Sequence, residues 1–304
     1  MQKITLIAIR GVFLFVSFLL LQAGTAAAES VKIVATIAPL ADFARQVGGD
    51  GVEVTLLLPP GASPHTYEPT PKVLREISRA KIFFKIGAGL EFWADRMIRA
   101  SSTDILIVDS SAGVDLIKDI SHNHDHDHGH ARGHGTNTDP HIWLDPIICI
   151  QIISKIEAAL SAIDPSNALL YKKNAAEYQE QLRELDNEIT EKTKLFRTRE
   201  YVTFHSAWNY FSRRYGLKVA AVIEESPGKE PSPRHVKKII DILKGLNTRV
   251  IFAEPQFSPK IAETIAREAG AQVLILDPEG GQKGRETYMD LMRYNLSIME
   301  KALK

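Results

Sequence analysis

A chain of 304 residues, 44% hydrophobic and 24% charged, is long enough to bury the cores of two ordinary domains and is not a disordered protein. Its 37 basic and 37 acidic side chains cancel to a formal charge of zero, so nothing suggests a nucleic-acid partner or a polybasic membrane patch. Histidine is the outlier: six of the ten fall between His122 and His134, so a metal is the first partner to consider.

The N-terminus reads as an export signal. Lys3 and Arg10 give a positive start, Val12 to Leu21 an apolar stretch too short for a comfortable bilayer span, and Ala26-Ala27-Ala28 a small-residue cleavage site. A membrane anchor is the alternative, and no Cys follows the apolar stretch to suggest a lipoprotein. The expectation is therefore a signal peptide over 1–28 and a mature protein in the periplasm. The single cysteine, Cys149, lies among isoleucines and reads as a small buried hydrophobe.

Beyond the signal, β-branched runs alternate with amphipathic segments. Strands are expected over 32–37, 52–58, 81–86 and 105–108, with helices over 39–47, 71–79 and 92–100 and another starting at Pro146. Thr70 before Pro71 and Asp145 before Pro146 pair a capping residue with proline at the first helical position. The segment 121–138 carries the histidine tract, which alternates imidazole with Asp, Asn and Gly. Lacking an apolar anchor, it is expected to be a mobile loop with many weak metal-binding arrangements. His141, flanked by apolar residues and two prolines, is expected to hold one geometry.

From Asn167 to Phe196, Leu170, Ala175, Tyr178, Leu182, Leu185, Ile189 and Leu195 recur at helical spacing without a Gly or Pro, which predicts one helix of about 30 residues. A rigid connector over 166–196 is the simplest reading and a coiled-coil dimer the alternative. The second half repeats the first. Strands are expected over 201–204, 219–223, 250–253 and 273–276, and helices over 206–215, 233–245, 259–270 and 287–302. Ser232-Pro233 and Ser258-Pro259 serve as helix starts. The predicted fold is α/β, with two similar, mainly parallel lobes (29–165 and 197–304) joined by the long helix.

Ligands of open α/β sheets bind beyond the carboxyl ends of the strands. Four metal-capable side chains fall there: His65 after the second strand, His141 after the fourth and the histidine tract, His205 ending the fifth, and Asp277 ending the eighth. A lone loop histidine is more often a surface or capping residue. Four at equivalent strand ends, two from each lobe, point to a cleft site. Three imidazoles and one carboxylate suit Zn2+. Glu254, also at a strand end, reads as a partner to a ligand or as a pocket wall, with a solvated acid as the alternative.

Six stretches carry a resemblance. They are Pro60-Gly61-Ala62-Ser63-Pro64-His65-Thr66-Tyr67-Glu68-Pro69, Asp139-Pro140-His141-Ile142-Trp143-Leu144-Asp145-Pro146, Phe204-His205-Ser206-Ala207-Trp208-Asn209-Tyr210-Phe211, Glu230-Pro231-Ser232-Pro233, Ala253-Glu254-Pro255-Gln256-Phe257 and Leu276-Asp277-Pro278. Across the mature chain they resemble the ZnuA-type family, the periplasmic zinc-binding components of ABC importers. The resemblance implies zinc ligands at His65, His141 and His205, with an acidic or water fourth ligand falling on Asp277. It also implies an ABC membrane permease as partner, and a monomer is expected. Manganese-type relatives carry Glu where His205 stands, so histidine favours zinc. A disulfide of some zinc-binding relatives has no counterpart here.

Competing readings are a manganese or iron carrier, a zinc buffer that meets no transporter, and a zinc-dependent hydrolase. The hydrolase would need a water on the metal and a general base, for which Glu254 could serve. The chain has no HExxH helix.

Overall fold

The structure, a computed structural model, describes residues 30–101, 103–118, 138–226, 228–246 and 249–304. The expected export signal and the histidine tract lie outside the described residues.

In the first half, β1 (Val31–Ala35), β2 (Val52–Leu56), β3 (Ile82–Lys85) and β4 (Leu106–Asp109) form one sheet in the order β2-β1-β3-β4, every pair parallel. The helices α1 (Ala38–Gly48), α2 (Pro71–Arg79) and α3 (Ala94–Ser101) lie between them in the chain. The second half repeats the arrangement. There β5 (Glu200–Thr203), β6 (Lys218–Val222), β7 (Val250–Ala253) and β8 (Gln272–Ile275) pair in parallel in the order β6-β5-β7-β8. Each of the eight strands overlaps its predicted run, with ends displaced by at most two residues.

Between the halves run α4 (Pro146–Ile163) and α5 (Ala168–Thr193). The long helix has 26 residues, shorter than predicted because a 3-10 turn at Pro165–Asn167 precedes it and the chain unwinds after Thr193. It is roughly 39 Å long at the usual rise. Its buried stripe is Tyr171, Ala175, Tyr178, Leu182, Leu185 and Ile189, at alternating three- and four-residue spacing. Leu170 and Leu195 were expected in that stripe but are 42% and 58% exposed. Leu170 falls one position out of phase, and Leu195 lies past the helix end.

The stripe joins one apolar core that includes Ile33 and Phe43 of the first half and Tyr201 and Met292 of the second. Met292 belongs to α9 (Tyr288–Leu303), which is also tied to α5 by Arg293–Glu188 at 2.9 Å and Lys192–Glu300 at 3.4 Å. The helix is therefore built into both halves and is no free-standing tether.

The remaining helices are α6 (Asn209–Tyr215), α7 (Pro233–Gly245) and α8 (Lys260–Ala269). Two predicted caps form: Asp145 accepts from Ile147 N and Ile148 N, and Ser232 accepts from His235 N. Thr70 makes no side-chain cap bond, and α8 begins at Lys260 with Pro259, not Ser258, in the capping position. Cys149 is fully buried as expected, with its thiol directed to Trp143 O and Tyr288 OH.

Candidate metal centre

Each of the three histidines is presented by a well-anchored segment: His65 and His205 lie beyond the ends of β2 and β5, and His141 opens the 3-10 turn ahead of α4. The β2 pairing runs on through Leu57 N to Ala35 O and Leu58 N to Thr36 O. The chain then turns at Gly61, whose φ of 83° suits a residue without a Cβ, and closes a further turn from Thr66 N to Ser63 O around His65. His141 sits between Pro140 and the 3-10 turn Ile142–Leu144, whose three apolar side chains are wholly buried and pin it from the C-terminal side. His205 follows β5 directly. The register continues there through Phe204 N to Phe252 O, which brings His205 beside Glu254 at the end of β7.

These segments converge. His65 Nε2 lies 3.1 Å from His141 Nε2, and His205 Nε2 lies 3.3 Å from the same atom. Centroids of the three rings are 5.1, 5.6 and 5.1 Å apart. Among the described residues this is the group of metal-capable side chains whose ligand atoms all fall within 4.8 Å of one another. Zinc–imidazole bonds of about 2.0–2.1 Å in a tetrahedron place neighbouring nitrogens about 3.3 Å apart, so the donor set fits one such ion.

Two buried carboxylates aim the rings. Asp139 Oδ1 is 2.7 Å from His141 Nδ1 and also accepts from His141 N at 2.9 Å. Glu254 Oε2 is 2.6 Å from His205 Nδ1, though ring and carboxylate are not aligned for a straight hydrogen bond. A ring whose proton sits on Nδ1, beside its carboxylate, leaves an Nε2 lone pair facing the centre. Burial opposes charge on His205, but the attraction and hydrogen bonding of Glu254, with Asp139 and Glu224, outweigh it and raise the ring's pKa. For His65, burial and then repulsion from His141 and His205 hold the pKa well below the ordinary value, so this ring is neutral and ready to coordinate.

Asp277, expected as the fourth ligand, is not in this group. Its carboxylate is fully buried and Oδ1 accepts from Glu279 N, Gly280 N and Gln256 Nε2. Oδ2 lies 3.3 Å from Arg285 Nη1. The side chain organises its own turn. Two residues on, Glu279 is 4% exposed, and its Oε2 has no partner. Burial, then the repulsion of Asp277, Glu254 and Glu91, raises its pKa well above the carboxylate range.

The sequence reading missed Asp139, Trp143 and Glu279. An Asp two residues before a ligand histidine is a usable signal, because that spacing lets the carboxylate reach both the histidine's amide and its Nδ1. Trp143 gave none: its Nε1 donates to Pro278 O at 2.7 Å, across 135 residues of chain.

Two parallel sheets of one topology, with imidazoles converging from strand ends of both, define a two-lobed metal-binding protein of the substrate-binding class. The chain belongs to the family of zinc-uptake complex component A, periplasmic (ZnuA), which matches residues 33–302. It is a transport substrate-binding protein and not an enzyme. It is similar to the high-affinity zinc uptake system protein ZnuA of Bacillus subtilis (strain 168), at 33% identity over 281 residues, 90% of this chain and 88% of the relative. A crystal structure of ZnuA aligns with a TM-score of 0.79 at 31% identity, over 90% of this chain and 99% of that one. Zn(II)-bound AdcA from Streptococcus pneumoniae aligns with a TM-score of 0.73 at 30% identity, over 90% of this chain. This chain spans 58% of the AdcA chain.

Proposed function

We propose that His65, His141 and His205 hold one Zn2+ as cargo in the cleft between the two sheets, and that the protein hands it to an ABC-type membrane permease. The observation that carries this reading is the convergence of three Nε2 atoms at 3.1 and 3.3 Å, two of them on rings fixed by buried carboxylates. Three neutral imidazoles favour zinc over manganese or iron, whose sites take more oxygen donors. In this reading a carboxylate of the 277–279 turn or a water fills the fourth position. Glu279 is the freer of the two acids: Asp277 Oδ1 is claimed by backbone and Gln256 donors and its Oδ2 faces Arg285 Nη1 at 3.3 Å, whereas among the described residues Glu279 Oε2 has no hydrogen-bond or ion-pair partner. A cation arriving beside Glu279 would draw off its proton and fix the carboxylate.

The protein acts as a monomer in the periplasm, after removal of residues 1–28. Competitive zinc titration tests the reading. One tight site is expected in the full chain and its loss in each of His65→Ala, His141→Ala and His205→Ala. Tight binding that survives all three substitutions would overturn it. Export is checked by N-terminal sequencing of the periplasmic protein, expected to begin near Glu29.

A further inference from the structure

Asn209 opens α6, four residues after His205, and is not one of the three ligands. Its amide NH2 carries two hydrogens, and both are directed into the site's scaffold. Nδ2 donates to Asp139 Oδ2 at 3.0 Å and to Ser206 O at 3.3 Å. Asp139 is the carboxylate that orients His141, and Ser206 is the residue after His205. The next residue, Tyr210, extends the same grip: its hydroxyl donates to Asp139 O at 2.9 Å and accepts from Ile117 N at 2.9 Å. One short segment of the second half therefore carries a candidate ligand and also clamps the group that aims a ligand of the first half.

We infer that Asn209 is a positioning residue for the metal site. It locks the Asp139–His141 pair to the strand-end segment bearing His205, so the two imidazoles keep the separation that a single ion requires. This rests on the three-histidine reading above. Asp139 is 3% exposed, so loss of the Asn209 amide leaves Oδ2 buried without a donor. The carboxylate then turns toward other donors and takes the His141 ring with it. No close replacement supplies both bonds: Leu and Asp fill similar volumes without a donor, and Gln carries its amide one methylene further out.

Loss of a carboxylate that contacts a ligand histidine typically costs about 10–100-fold in metal affinity. Asn209 acts one bond further away and is half-buried, so a smaller effect is expected, about 3–10-fold. The experiment compares Asn209→Leu, Asp139→Ala, the double variant and His141→Ala in the full-length protein loaded with one equivalent of metal. Zinc release to a chelator, the visible spectrum of the Co2+ form and the melting temperature of the metal-free protein are measured. Asn209→Leu is expected to speed zinc release about 3–10-fold and to shift the Co2+ bands, with no further effect in the Asp139→Ala background. Asn209→Ala, which cannot overpack, repeats the arm should the leucine not fit.

A lower melting temperature with zinc release and Co2+ spectrum unchanged would make Asn209 merely structural and overturn the proposal. Additive effects in the Asp139→Ala background would also overturn it. Slow zinc release from His141→Ala would overturn the three-histidine reading and the positioning role together. Fast release from His141→Ala with Asn209→Leu unchanged would sink the positioning role alone.

Discussion

Replacing Glu254 by Gln removes one charge from the site while keeping the side chain's shape. Glu254 is 2% exposed and sits 2.6 Å from His205 Nδ1, so water cannot replace it as the ring's partner. Loss of a carboxylate beside a ligand histidine makes the imidazole less basic and less well aimed, which costs about 10–100-fold in affinity, or about 1.4–2.7 kcal/mol. The effect is pH-dependent, and its sign follows from the raised pKa of His205. With His205 as a zinc ligand, as proposed, protons in the parent begin to compete with the metal for His205 as pH falls through that raised value. In Glu254→Gln the ring's pKa drops, so competition begins at lower pH.

The two affinity curves should therefore lie furthest apart in mildly alkaline solution and approach each other on acidification. The metal-free parent adds a check. Its raised His205 pKa contributes stability that is fully present below the unfolded value of about 6.5 and is lost as pH rises through the folded value. Its advantage over Glu254→Gln should therefore grow on acidification. Competitive zinc titration from pH 6 to 8 with a ratiometric chelator measures the main effect. Parallel curves, or an unchanged affinity at pH 8, would refute the role given to Glu254.

Three further outcomes are expected. His205→Glu should weaken zinc binding and narrow the preference for zinc over manganese, whereas His205→Ala should weaken zinc without helping manganese; parallel titrations with both metals decide, and equal losses for both metals would reject His205 as the selectivity element. Deleting residues 122–134 should lower total zinc stoichiometry and leave the tight site intact, and loss of the tight site with the tract would show that the two are one. Trp143→Phe strands the buried Pro278 carbonyl, which should cost about 1–3 kcal/mol before any cavity term, and an unchanged melting temperature of the metal-free protein would count against that bond.

The fold was legible because its signals are local. Alternating strand and helix runs, proline after Asp145 and Ser232, and the apolar periodicity from Tyr171 to Ile189 are all set by neighbours in sequence. That the three histidines would meet was legible for a related reason: each follows a strand in the chain, and in a parallel α/β sheet the carboxyl ends of the strands share one side. Asp277 also stands at a strand end, but strand-end position does not say which way a carboxylate points. Here Glu279 N, Gly280 N and Gln256 claim it. Contacts such as Trp143 with Pro278 and Asn209 with Asp139 join distant segments, and only the packed structure brings them together.

The most direct test counts the imidazoles on the ion. X-ray absorption at the zinc edge, on protein lacking residues 122–134 and loaded with one equivalent of Zn2+, separates ring from oxygen scattering. Three imidazoles and one oxygen at about 2.0 Å are predicted, falling to two imidazoles in each of His65→Ala, His141→Ala and His205→Ala. Two or fewer imidazoles in the parent, or a count unchanged by any one of those substitutions, would contradict the three-histidine site.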